Sequence, residues 1–128
     1  MNVKLLRKVK KHILEEPKRL YMSDYIKVES EHHLYGRGYA KCGTAACIAG
    51  WTCILSLKET PDAIRRTNDV HATGGELLGL TPGQAYRLFV PSVWPQKFTR
   101  GTSDDGSEAT AKVAAARIEH FIKTEGRK

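Results

Sequence analysis

Residues 41–53 read Lys41-Cys42-Gly43-Thr44-Ala45-Ala46-Cys47-Ile48-Ala49-Gly50-Trp51-Thr52-Cys53, and how this stretch is read decides the fold. Thr44 can cap a helix that runs to about Lys58. In it Ala45, Ala46, Ile48, Ala49, Ile54, Leu55 and Leu57 leave almost no polar face. A helix of that kind is expected to be buried on most sides. Ala46, Gly50 and Cys53, spaced by four and three, add a strip of small residues against which another helix can pack closely.

Outward from this centre, amphipathic helices are expected on both sides. After Asn2, a potential N-cap, Val3, Leu6, Val9 and Ile13 recur at helical spacing, with Leu5 and Leu14 widening the stripe, until Pro17 ends the helix. At about 100° per residue, Lys4, Arg7, Lys8 and Lys11 gather on the opposite side as a basic face. A short helix is expected over Ser23 to Val28. Thr60-Pro61 is a helix start, and Ala63, Thr67, Val70, Gly74, Leu77 and Leu78 carry that helix to a Gly79-Leu80 stop. Thr81-Pro82-Gly83-Gln84 has the form of a capping box opening a helix that buries Ala85, Leu88 and Phe89. Val90 to Pro95 reads as an apolar connection, and a last helix is expected from about Ser107 to Lys123, stopped by Gly126. Its core face is Ala111, Ala114, Ile118, Phe121 and Ile122. No alternating strand pattern of four or more residues is present. The expected fold is all-α, a single compact domain over residues 1–128 of about five helices packed around the buried apolar helix.

Composition narrows the function classes. The 128 residues carry 21 Lys and Arg against 14 Asp and Glu, a formal net charge of +7, which favours an acidic protein partner or nucleic acid. Three cysteines without a disulfide-framework spacing, and no charged-then-apolar leader, point to a reducing, cytoplasmic setting. The longest apolar run, around Ala45 to Leu57, falls short of the roughly twenty residues a bilayer requires, so no membrane contact is expected.

Cys42 has the attributes of a nucleophile at a helix start, where unpaired N–H groups and the positive end of the dipole stabilise a thiolate. Cys-Gly-Thr-Ala-Ala resembles the nucleophile segment of papain-like cysteine peptidases over five residues. Such chemistry needs a histidine base with an orienting partner. His71, beside Asn68 and Asp69, and His120, beside Glu119, are the candidates, and neither is expected on a sheet. Cys47 and Cys53 read as small core residues. His32, His33, Cys42 and Cys47 lack the paired spacing of a zinc site, and Asp104, Asp105, Ser107 and Glu108 lack that of a calcium loop, so no metal or cofactor is expected. Trp51 and Trp94 read as core anchors, whereas Tyr35 and Tyr39, flanking Arg37 in a Gly-rich loop, can stack on bases.

The segments "EEP", "CGTAACIAGW", "ELLGLTPGQAYRLF", "WP" and "ARIEHFI", in this order, resemble a family of small helical bacterial and phage proteins with no established activity. The resemblance spans most of the chain and implies a helical domain of microbial or phage origin.

The residues themselves favour a non-catalytic binding or regulatory protein acting on an acidic partner, a protein complex or nucleic acid, with inhibition as one form of that role. Its contacts are expected from Lys4, Arg7, Lys8 and Lys11 and from Tyr35, Arg37 and Tyr39. The rival readings are a cysteine-dependent hydrolase or transferase using Cys42 with His71 or His120, and a structural protein that self-associates. The latter would use the small-residue strip or the apolar Val90-Pro91-Ser92-Val93-Trp94 segment.

Overall fold

The computed structural model describes residues 1–23, 25–28, 44–99 and 106–128. It is mostly helical, as expected. Among the described residues there are seven α-helices rather than about five, together with two short strands.

Helix α1 (Val3–Glu15) starts where Asn2 accepts a hydrogen bond from the Leu5 amide at 3.0 Å and buries Leu6, Val9 and Ile13. Pro17, which no helix interior accepts, opens a 3-10 turn (Pro17–Arg19) instead.

The central stretch departs from expectation. Ile26–Val28 is not helical but forms strand β1, paired antiparallel with strand β2 (Thr44–Ala46) in the register Ile26 to Ala46, Lys27 to Ala45 and Val28 to Thr44. Thr44 therefore lies in a strand rather than at a helix start, and helix α2 (Ile48–Ser56) begins behind Cys47, which offers no side-chain cap. Local propensity favours helix for Thr-Ala-Ala-Cys, but neighbours on both edges hold it extended. The Tyr21 amide donates to the Ala46 carbonyl at 3.0 Å, and Arg19 Nε donates to the Thr44 carbonyl at 3.0 Å. Gly50 locks the corner: a Cβ there would collide with the Tyr25 carbonyl oxygen and the Ala46 methyl, so only glycine lets α2 cross the ribbon this closely.

The helix expected after Thr60 is also divided. Helix α3 (Pro61–Thr67), capped by Thr60, stops at Asn68, and helix α4 (Val70–Leu77) starts afresh with Asp69 accepting from the Ala72 amide at 3.2 Å. Asn-Asp competes with the helical backbone through its own side chains and turns a continuous apolar spacing into two helices. The stop at Gly79 has φ of +67°, with Leu80 N–H donating to the Gly75 carbonyl and Gly79 N–H to the Glu76 carbonyl, a Schellman arrangement. Helix α5 (Pro82–Phe89) opens with both bonds of the Thr81–Gln84 capping box. A 3-10 turn (Pro91–Val93) and the one-turn helix α6 (Gln96–Thr99) follow, and helix α7 (Glu108–Lys123) is capped by Ser107.

Every residue from Ile48 to Cys53 is buried, and α2 packs on α4, α1, α3 and α5, while α1 packs on α7. Both tryptophans are core anchors with a satisfied indole. Trp51 donates to the Arg19 carbonyl at 3.0 Å and Trp94 to the Leu88 carbonyl at 2.9 Å. No helix among the described residues is long and apolar enough to cross a membrane.

Candidate binding face

Lys4, Arg7, Lys8 and Lys11 are all exposed on α1, on the side away from its buried stripe, but they are not equivalent. On the flank facing α7, Glu119 accepts from Lys10 at 3.0 Å and lies 3.9 Å from Arg7. The Lys10 bond holds the Glu119 carboxyl below the usual carboxylate range. Lys11 lies 3.8 Å from Glu15, one turn on, with both side chains largely in water. Toward α2, Lys4 and Lys8 have no carboxylate within ion-pair distance among the described residues, and Lys8 donates to the Leu55 carbonyl at 3.4 Å. Lys8 thereby sits at the carbonyl-rich end of α2, where the helix dipole favours a cation.

That second flank is a groove. A cavity of about 710 Å³ runs between α1, the end of α2 and Leu77 of α4, with half-buried Leu5, Leu55 and Leu77 in its wall and Lys4, Arg7, Lys8 and Lys11 on its rim, Arg7 and Lys11 also bordering the Glu119 flank. On the Glu119 flank, by contrast, the space is about 380 Å³ and includes that carboxylate. Leu55 and Leu77 reach the groove because α2 and α4 lie side by side, and Leu5 reaches it because it stands at the edge of the α1 core stripe.

The candidate catalytic groups are dispersed. His71 lies against Tyr25, whose hydroxyl is 3.1 Å from Nδ1, and edge-on to Phe89 at 5.3 Å. His120 lies beside Phe98 and Arg117. The acidic and amide groups expected to orient them are engaged elsewhere: Asn68 donates to the Ile64 carbonyl, Asp69 caps α4, and Glu119 binds Lys10. Cys47 is buried with its Sγ 3.9 Å from the Tyr25 carbonyl oxygen, and burial pushes the Cys53 thiol up to about 12, so Cys53 stays a thiol at neutral pH. Cys42, Tyr35, Arg37 and Tyr39 lie outside the described residues, as do His32 and His33.

Ala46, Gly50 and Cys53 are all buried within the chain's own core, which removes the small-residue strip from the surface. In the apolar segment after α5, Val93 is exposed while Trp94 is buried.

Two polar groups escaped the sequence reading. Arg117 is fully buried in α7 among the rings of Trp94, Phe98 and Phe121, with its carbon centre 5.9, 5.9 and 5.5 Å from their centroids. It stands three residues after Ala114 and four before Phe121, on the core stripe itself, so the spacing alone flags it. His12 in α1 packs against Trp51 with ring centroids 4.2 Å apart and planes tilted by 53°, and its buried Nε2 has no hydrogen-bond partner among the described residues. No family model, curated protein or solved structure matches this chain.

Proposed function

We propose that this protein acts without catalysing a reaction, by binding an acidic macromolecule, a protein complex or nucleic acid, through the outward face of α1. Restraint of that partner is one form the role takes. The observation that supports this reading is the set of α1 cations held outward beside an open groove, with Lys4 and Lys8 unopposed by carboxylates among the described residues. A surface held this way attracts an acidic partner at long range and loses that attraction as salt rises. The resemblance of its segments to small bacterial and phage proteins supports a bacterial cytoplasm as the setting of this action, that of the host if the chain is phage-encoded. The reading built on a Cys42 nucleophile draws less support, because neither His71 nor His120 is oriented by a carboxylate or amide among the described residues.

The test is salt-gradient elution from immobilised DNA and from polyglutamate resin. Lys4→Ala, Lys8→Ala and Lys11→Ala together are expected to elute at clearly lower salt than wild type from at least one of them. A control with Lys112, Lys123 and Lys128 changed to alanine, all exposed elsewhere, has the same net charge and is expected to fall less. Equal shifts for the two triples would reduce the face to bulk charge and overturn the proposal.

A further inference from the structure

We infer that the α1 groove receives an acidic amphipathic helix of a partner protein. This deepens the binding reading above and rests on it. The chemistry of the groove separates the two classes of acidic partner. Phosphates need cations, and the rim supplies Lys4, Lys8 and Lys11, but a nucleic-acid backbone gains nothing from the half-buried leucines between them. Single strands gain affinity by stacking on aromatic side chains, and among the described residues none that lines this groove is aromatic.

An amphipathic helix uses both features at once. Its apolar stripe settles on Leu5, Leu55 and Leu77, and carboxylates flanking the stripe meet the lysines. The fit in scale is good. Lys4, Lys8 and Lys11 follow one another by four and three residues, so they mark about 10 Å of α1, and α1 as a whole is about 20 Å long. That length matches two to three turns of a partner helix carrying apolar residues at i, i+3 or i+4, and i+7. The charge asymmetry of α1 selects the side: Glu119 lines the α7 flank and repels carboxylates there, while no acidic residue is among the described residues lining the groove, where Glu15 meets Lys11 at one end and Lys4 and Lys8 stay unopposed. A second copy of this chain is disfavoured as occupant by its own charge of +7.

The experiment is selection from a displayed library of random peptides of about 16 residues, followed by fluorescence anisotropy on the enriched peptides. The expected result is enrichment of Asp and Glu flanking Leu, Ile or Phe at helical spacing. Affinity is then expected to drop roughly tenfold or more for Lys8→Glu, for Leu55→Asp, and for alanine at the apolar positions of the peptide. Circular dichroism and melting check that each variant is folded. If Leu55→Asp does not fold, Leu55→Ser and the peptide substitutions carry the test.

Acid-rich peptides without apolar spacing, bound equally by Leu55→Asp, would overturn this inference and leave the charged-face reading standing. So would a DNA duplex of about 20 base pairs that binds more tightly than any peptide and ignores Leu55→Asp. If neither peptides nor DNA bind in a way that depends on Lys4, Lys8 and Lys11, both readings fall.

Discussion

Helices α1 and α7 pack against each other and treat positive charge in opposite ways. The cations of α1 stand in water around a groove, where holding them costs little and leaves them available. Helix α7 turns Arg117 inward to full burial, where desolvation is expensive. No carboxylate lies within ion-pair distance of Arg117 among the described residues. Its Nη2 donates to the Arg87 carbonyl at 3.0 Å, its Nη1 lies 3.3 Å from His120 Nδ1, and its Nε has no partner among the described residues. Burial and the nearby Arg87 bring its pKa down to about 10, so it remains charged at neutral pH. Three ring faces supply the rest of its environment, and a desolvated cation over an aromatic face gains on the order of 2 kcal/mol. The contrast teaches that a cation's role follows from which stripe of its helix it occupies: α1 holds its charges out in water, whereas α7 uses one charge to tie α5, α6 and the Trp94 turn together.

The sharpest way to break this contrast is Arg117→Ala. It removes the filling of an aromatic cage and strands the Arg87 carbonyl, so a loss of about 3 kcal/mol is expected, read as a fall of roughly 10 °C in Tm. Arg117→Met keeps most of the volume and discards the buried charge, and is expected to stay within about 1 kcal/mol of wild type. Neither variant should alter the salt dependence of binding by α1. A binding loss in a folded Arg117→Met protein would show that the two helices are not functionally separate.

A pH titration distinguishes the helices less strongly. His12 in α1 and His120 in α7 both have pKa values lowered from 6.5, first by burial, then by nearby cations, Arg19 for His12 and Lys97, Arg117 and Lys128 for His120. Below about 6.5 the unfolded chain takes up protons that the folded chain resists. Stability is therefore fully present above the unfolded pKa and is lost as pH falls through the lowered folded values. His120 has a further reason to stay neutral, since a protonated Nδ1 faces the Arg117 guanidinium. His12→Phe keeps a ring on Trp51 and removes the titration, so its melting temperature should fall less between pH 7 and pH 5 than that of wild type. An identical acid slope in the two proteins would assign that loss to other groups.

Sequence patterns exposed α1 well, because a strong apolar stripe and an opposed basic stripe can each be read from spacing alone. The same holds for the Gly79 stop and the Thr81–Gln84 box, where the side chains that make the bonds are adjacent in the chain. The ribbon was hidden for the opposite reason. Thr44–Ala46 is extended because Tyr21, Arg19 and Ile26 pair with it from a distance along the chain, and a run of small residues carries no local sign of such pairing. Half of the candidate site was likewise legible. The lysines are visible in the α1 repeat, but the groove exists only once Leu55 and Leu77, from two other helices, come alongside Leu5. Arg117 stands on the core stripe of α7, but arginine is rarely fully buried, so its residue type argues against the burial that its position implies.

The finest probe of the contrast lies where the two helices touch. Glu119 belongs to α7 but acts on α1, drawing Lys10 and Arg7 toward itself and lowering the field on one flank. Glu119→Gln removes that charge and keeps the side chain's shape. Because Glu119 is partly exposed, the lost pairing should cost no more than about 0.5 kcal/mol of stability. Its effect on association should be visible all the same, since an added net positive charge beside the binding face raises the association rate of an acidic peptide by about two- to threefold at low salt and hardly at all at high salt. If the gain appears and Lys8→Glu reverses it, the two flanks of α1 share one field, and Glu119 sets how strongly that field draws a partner toward the open side.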